Sequence, residues 1–250
     1  MKTVGVIPAR YAATRFPGKP LADICGKPMI WWVYQAATGS RSFSEVRIAL
    51  DDKRIAAACE QHGMAYTETA PDHPDHISRM HEVSQKIDAD MYVCVNGDEP
   101  LLTTGTLDRV GDAISASGEF DELNFVCKIT DPSQLVDFSK IKMAVGAGGR
   151  VVYMSRSPVP YPRGSSAFDY LKYVGIECFR KDALRFFAET PMGPLERAED
   201  IDHLRFIENG RVMRAYRVDA ETLSVDTPKD LDRVRAVMAE RLATGREPWL

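Results

Sequence analysis

The sequence predicts an α/β protein with a mainly parallel central sheet, helices on both faces and a small mixed β region in its second half. Three observations carry this. Short apolar runs alternate with amphipathic helical stretches through the first hundred residues, which is the rhythm of strand–helix–strand units. The middle of the chain changes to strand-like segments joined by turn signals such as "GAGGR". The 250 residues, 44% hydrophobic and 27% charged, suffice for one large core, and no repeat or low-complexity linker divides them.

Taken in order, Val4 to Ile7 form a first apolar strand that stops at Pro8, and a loop of small, basic and Gly/Pro residues runs to Pro20. "PMIWWVYQAATGS" reads as a helix with Ile30, Val33 and Tyr34 on one face. "EVRIALDD" is a strand ending in acids, and "KRIAAACEQHG" a helix closed by Gly63. "MAYTET" is a short strand, "ISRMHEVSQKI" a helix, and "MYVCVNGDEP" a buried strand entering a polar turn. "NFVCKI", "IKMAVGA" and "RVVYMSR" follow as strands, until three prolines in "SPVPYPRGSS" break the pattern. "YVGIECF" and "RAYRVD" are further strands, and "TPKDLDRVRAVMAERLA" is a last helix, with Asp226 or Thr227 as its cap and Pro228 at an early position. The chain is therefore one domain, 1–250, with a distinct subregion at about 141–185. Ligands of such sheets lie where strand C-termini open into loops, so segments 8–20, 67–79 and 96–100 should converge.

The formal charge of −4 and the absence of a basic block argue against nucleic acid as partner. The five cysteines lie at 25, 59, 94, 127 and 178 with no CxxC spacing, so neither a disulfide framework nor a thiolate zinc site is suggested and a reducing cytoplasm is the expected compartment. No apolar run reaches the length of a membrane span.

Three short motifs can carry chemistry. "PARYAATRFPGKPL" brings Arg10, Arg15 and Lys19 onto a loop opened by Gly18 and prolines. That arrangement suits a polyphosphate, and it equally suits a solvated basic loop; the Walker spacing is absent. In "VNGDEP", Asp98 at the mouth of an apolar strand has the position of a Mg²⁺ ligand, or of a simple turn former. In "SVDTP", Asp226 is a metal ligand or a helix cap. A fourth stretch, "TAPDHPDHISRMHE", holds His73, His76 and His81, three of the five histidines. A helix starting near Ile77 turns His81 away from His76, so no zinc cluster of these three is expected.

Taken together, and with "GKPMI", "ALDDKRI", "YMSRSPVPYPR" and "YVGIECF", these motifs make the chain resemble the 3-deoxy-manno-octulosonate (Kdo) cytidylyltransferases over about residues 3–240. The resemblance implies a Rossmann-like nucleotidyltransferase fold, a cytoplasmic homodimer, and transfer of CMP from CTP to a small acidic acceptor with loss of pyrophosphate. It assigns CTP to Ala9, Arg10, Thr14, Arg15, Lys19, Asp72, Gly97 and Asp98, catalysis to Lys19, Arg10, Asp98 and Asp226, and Mg²⁺ to Asp98 and Asp226. A second Mg²⁺ would ride mainly on the CTP phosphates. Sugar-1-phosphate nucleotidyltransferases, whose GxGTRxxP opening is missing here, and a silent nucleotide-binding paralogue are the rival readings.

The sequence leaves that family's pattern in four places. D-H-x-S-G-T-[DE]-R becomes Asp72-His73-Pro74-Asp75-His76-Ile77-Ser78-Arg79; Q-G-D-E-P begins with Asn96; H-x-G-I-Y-x-Y becomes Tyr173 to Phe179 with Glu177 inside; and L-E-Q-L-R becomes Ile201-Asp202-His203-Leu204-Arg205. The resemblance makes these the acceptor-holding places, so His73, Asp75, His76, Arg79, Asn96, Tyr173, Glu177, Asp202 and His203 are the expected acceptor residues. With the nucleotide and metal positions intact, the expectation is an acceptor other than ordinary Kdo: an amino-bearing or otherwise altered ulosonic acid, or a smaller carboxylate, phosphonate or phosphate.

Overall fold

A computed structural model describes residues 1–12, 16–165, 167–220 and 223–245. The first half is the predicted alternation: β1 (Thr3–Ala9), a small hairpin of β2 (Asp23–Ile24) and β3 (Lys27–Pro28), α1 (Met29–Gly39), β4 (Glu45–Leu50), α2 (Lys53–His62), β5 (Tyr66–Glu68), α3 (His76–Lys86), β6 (Met91–Val95) and α4 (Thr104–Ala116). The second half holds β7 (Glu122–Lys128), α5 (Pro132–Val136), β8 (Lys142–Val145), β9 (Val151–Ser155), β10 (Leu171–Phe179), α6 (Lys181–Glu189), α7 (Pro194–Glu199), α8 (Leu204–Glu208), β11 (Met213–Arg217) and α9 (Pro228–Ala243).

The main sheet has the order β11-β7-β10-β6-β1-β4-β5, with β8 added to β10 and β9 to β8. The pairs β5–β4, β4–β1, β1–β6 and β7–β11 are parallel, whereas β10 lies antiparallel to β6, β7 and β8. Among the described strands only β10 and β9 therefore run against the common direction, so the sheet is mainly parallel, as predicted. Its central strands are sealed on both faces: all five residues of β6 and six of the seven in β7 are buried.

Two apolar layers account for that burial. One joins the sheet to α1, α2 and α4 through residues such as Ile30, Val33, Ile55, Cys59, Leu107 and Val110. The other joins it to α3, α6 and α8 through Ile77, Met80, Leu184, Phe187 and Phe206. A third cluster seats α9 against Met29, Trp32 and Leu101 through Val234 and Met238. Cys59, Cys94, Cys127 and Cys178 are buried thiols, and Cys25 is exposed. Among the described residues no helix is long and apolar enough to cross a membrane.

Two sequence readings are refined. The strand read as starting at Asn124 begins two residues earlier, at Glu122. Of the two candidate caps for the last helix, Thr227 is the cap. Its hydroxyl accepts from Asp230 N while Asp230 accepts from Thr227 N, a reciprocal box that leaves Asp226 out of the helix end.

Candidate active site

The loops after β1 and β6 meet because their strands are neighbours and Gly97 lets them close. A Cβ at residue 97 would stand 2.9 Å from the carbonyl oxygen of Pro8, so only glycine permits this approach. From the far edge of the sheet, Val225 N donates to Asp98 O at 2.9 Å, and the Ser224 hydroxyl donates to Glu99 Oε1. The turn carrying Asp98 and the segment carrying Asp226 are thus tied together.

These loops surround a cavity of about 480 Å³. At one end stand Ala9, Arg10, Lys19, Gly97, Asp98 and Asp226; at the other stand His73, Asp75, His76, Arg79, Asn96 and Asp202. The Lys19 ammonium donates to Asp98 Oδ2 at 2.7 Å and lies 4.0 Å from Asp226 Oδ1. Two carboxylates 128 positions apart in the chain (98 and 226) therefore face one cation, each only about a quarter exposed. Hard oxygen donors on converging loops at a cavity wall are a donor set suited to Mg²⁺. Thr14 and Arg15 lie outside the described residues.

The other end is built by α3. Asp75 caps that helix by accepting from Ser78 N at 2.6 Å, a local task that the sequence reading had not given it. Arg79 is buried, and its guanidinium donates to Asp51 Oδ2 at 2.8 Å, Ala70 O at 3.3 Å and the Thr69 hydroxyl. His73 pairs with Glu82 at 2.5 Å. Burial opposes the charge on Glu82, but Lys86, His73 and Ala70 N outweigh it and hold the carboxyl down at about 2. His81 Nε2 lies 3.2 Å from Gln85 Nε2.

Behind this wall runs a chain of alternating acids and bases. His76 stands 3.3 Å from Asp202 through Nδ1 and 3.0 Å from Glu177 through Nε2. The other Glu177 oxygen lies 3.7 Å from His203 Nε2, and His203 Nδ1 lies 2.6 Å from Glu122, which also accepts from Asn124 at 2.7 Å. Glu122, Asn124 and Glu177 have no exposed surface and His203 almost none. Burial alone would discharge such groups, so each depends on its partners. For both histidines desolvation is outweighed by the carboxylates: His76 is raised well above its ordinary value and His203 is raised to about 9. Burial pushes the Glu122 carboxyl up, while Asp202, facing His76, is held low despite its burial.

The expected acceptor residues consequently divide. His73, Asp75, His76, Arg79, Asn96 and Asp202 line the cavity. Tyr173, Glu177 and His203 do not; they stand one layer deeper, Tyr173 accepting from Asn96 Nδ2 at 3.1 Å and the other two backing His76. In this structure these three back the residues that line the cavity. Asp72, expected at the nucleotide, is exposed and is not part of the cavity wall. Glu122, Asn124 and Asp51 were missed. A glutamate and an asparagine inside a strand buried on both faces were a visible signal for the first two; the pairing of Asp51 with Arg79 had none.

The fold and the cavity define a nucleotidyltransferase of the doubly wound α/β type. A family model described as cytidylyltransferase matches residues 4–239. The 3-deoxy-manno-octulosonate cytidylyltransferase of Escherichia coli is 37% identical over 242 residues, covering 97% of this chain and 98% of its own. The enzyme of that name from Nitratidesulfovibrio vulgaris is 39% identical, covering 94% and 96%. The solved structure of a CMP:2-keto-3-deoxy-manno-octonic acid synthetase complexed with CTP superposes with a TM-score of 0.91 at 37% identity, over 96% of this chain and all of that one. The chain belongs to the cytidylyltransferase family.

Proposed function

We propose that this protein transfers CMP from CTP to a Kdo-type sugar acid other than ordinary Kdo, or to a related small anion, in a Mg²⁺-dependent reaction that releases pyrophosphate. One observation carries the first part: Arg10, Lys19, Asp98 and Asp226 converge at one end of the cavity. Arg10 and Lys19 supply positive charge for the triphosphate, and the backbone around Gly97 lets the nucleotide approach the strand ends closely. Lys19, held by Asp98, keeps its ammonium aimed at the phosphates without reorganisation during the reaction. Asp98 and Asp226 would hold Mg²⁺, which when bound screens the repulsion between anionic nucleophile and triphosphate and eases loss of the acceptor hydroxyl's proton. Fixing both reactants in one pocket turns an encounter of two anions into an in-line displacement at the α-phosphorus.

The changed acceptor is supported by where the departures from the family pattern fall. His76, Glu177, Asp202 and His203 come from three separate segments, yet they form one contiguous cluster of alternating acids and imidazoles at the acceptor end. Independent drift gives no reason for four replacements to satisfy one another. Exposed apolar side chains at Val152, Tyr161 and Phe168, within the 141–185 subregion, support a homodimer through that face.

The test is CTP-dependent pyrophosphate release in Mg²⁺ with a panel of acids: Kdo, its 8-amino analogue and small phosphonates. Release with one of the altered acids, and little with Kdo, is expected. Efficient turnover of Kdo would overturn the changed acceptor, and no release with any acid would overturn the activity.

A further inference from the structure

We propose that His76, Cys94 and Glu177 form a Zn²⁺ site at the inner end of the cavity, separate from the carboxylate pair Asp98 and Asp226. The observation is a juxtaposition of three different donor types on three rigid elements. Cys94 on β6 and Glu177 on β10 are direct partners across an antiparallel pair, so their side chains leave the same face of the sheet. His76 is the first residue of α3 and reaches this face from above. One ligand atom from each, Nε2 or Nδ1, Sγ and a carboxylate oxygen, lies within 4.8 Å of the other two. In a tetrahedral zinc site with bonds of about 2.0–2.3 Å, neighbouring ligand atoms stand roughly 3.3–3.8 Å apart. The separation of His76 Nε2 from Glu177 Oε2, 3.0 Å, is already close to that, so small side-chain rotations bring the three protein ligands to the metal.

Two further features distinguish this cluster from an ion pair that happens to adjoin a thiol. Glu177 has no exposed surface, and its Oε1 has no hydrogen-bond partner. The nearest candidate, His203 Nε2, stays at 3.7 Å. Cys94 Sγ donates to Asn96 Oδ1 at a long 3.5 Å, so a buried thiol and a buried carboxylate with an unused oxygen together have spare ligating capacity. The second feature is the support already in place: with Nε2 turned to the metal, Nδ1 of His76 faces Asp202 at 3.3 Å, the carboxylate–histidine arrangement that orients zinc ligands. Mixed S, N and O donors select zinc over Mg²⁺. Of the three, only His76 lines the cavity, so the remaining coordination position opens towards the acceptor end. Loading the site releases the thiol proton of Cys94, and that of the His76 imidazolium, to solvent. The three clustered histidines of the sequence play no joint part, since only His76 is used.

The test uses the full chain, stripped with chelator and then titrated with Co²⁺ under excess Mg²⁺ to occupy hard oxygen sites. One equivalent should bind with a thiolate-to-cobalt charge-transfer band, which Zn²⁺ should displace. Cys94→Ser should lose that band, and Asp202→Asn should weaken binding about 10–100-fold while keeping it. Absence of the band from folded wild-type protein, or its persistence in Cys94→Ser, would overturn the site. If Cys94→Ser does not fold, His76→Gln, altered at the cavity surface, takes its place: wild-type Co²⁺ affinity in that variant would overturn the site equally.

Discussion

Glu99 offers the most direct access to the electrostatics of the site. It lies next to Asp98, is 4% exposed, and accepts from the Ser224 hydroxyl on the segment that carries Asp226. Burial, and then the charge of Asp98, push its carboxyl from 4.5 up to about 8, against the pull of Ser224, Lys140 and Lys172. Between these two values the folded protein keeps a proton that the unfolded chain has released, so stability falls as pH rises from about 4.5 to 8. At roughly 1.4 kcal/mol per pH unit, this single group costs about 5 kcal/mol by the top of that window. Glu99→Gln reproduces the protonated acid, keeping an acceptor for Ser224 while removing the titration. Urea unfolding of both proteins, from pH 4.5 to 8.5 in chelator so that no cation neutralises Asp98, gives the comparison. The variant should gain on the wild type progressively with pH, reaching about 3–5 kcal/mol near pH 8. Parallel curves across the window would refute the assignment of a buried, proton-holding Glu99.

Other changes probe other parts of the molecule. Asp98→Ala should abolish pyrophosphate release while leaving the circular-dichroism spectrum and unfolding transition of a folded protein, and an unchanged rate would remove Asp98 from the chemistry. Lys19→Met should lower kcat by about 10²–10³, measured by the same release assay, since a preorganised cation is lost from the phosphate end. Gly97→Ala should cost about 1–3 kcal/mol in urea unfolding, because its Cβ meets the Pro8 carbonyl at 2.9 Å and forces the two loops apart. Arg205→Met should cost about 3–5 kcal/mol, since it strands Glu196, which is 1% exposed and takes two hydrogen bonds from that guanidinium. Adding Glu196→Met in the same chain should recover part of that loss, and no recovery would refute the charge argument.

The parts of this protein governed by local rules were readable in advance. The alternation up to Val95, the closure of α2 at Gly63 and the capped start of α9 follow from periodicity and end signals a few residues long. Local rules do not choose between two neighbouring candidates: Thr227 took the cap through Asp230, and that released Asp226 to the cavity. They also do not report depth. Glu177 and His203 were visible as unusual residues, but their place behind His76 depends on β10 entering the sheet antiparallel between β6 and β7. Glu122 escaped notice because its partner of opposite charge, His203, comes eighty-one positions later (203 − 122). The cysteine spacing gave no sign of Cys94 as a ligand because its neighbour Glu177 is supplied by another strand.

The insertion of β10 has a consequence for the chain while it is being made. Strands β5, β4, β1 and β6 can assemble once the first hundred residues have left the ribosome, but the outer edge of β6 then has nothing to pair with until residues 171–179 arrive. That edge belongs to a strand with every side chain buried in the finished protein, so the growing chain carries a sticky, unpaired border through much of its synthesis. The lysine–carboxylate cluster is later still, since Asp226 emerges just ahead of the final helix. A partly synthesised chain is therefore expected to be more aggregation-prone until β10 arrives to cover that edge.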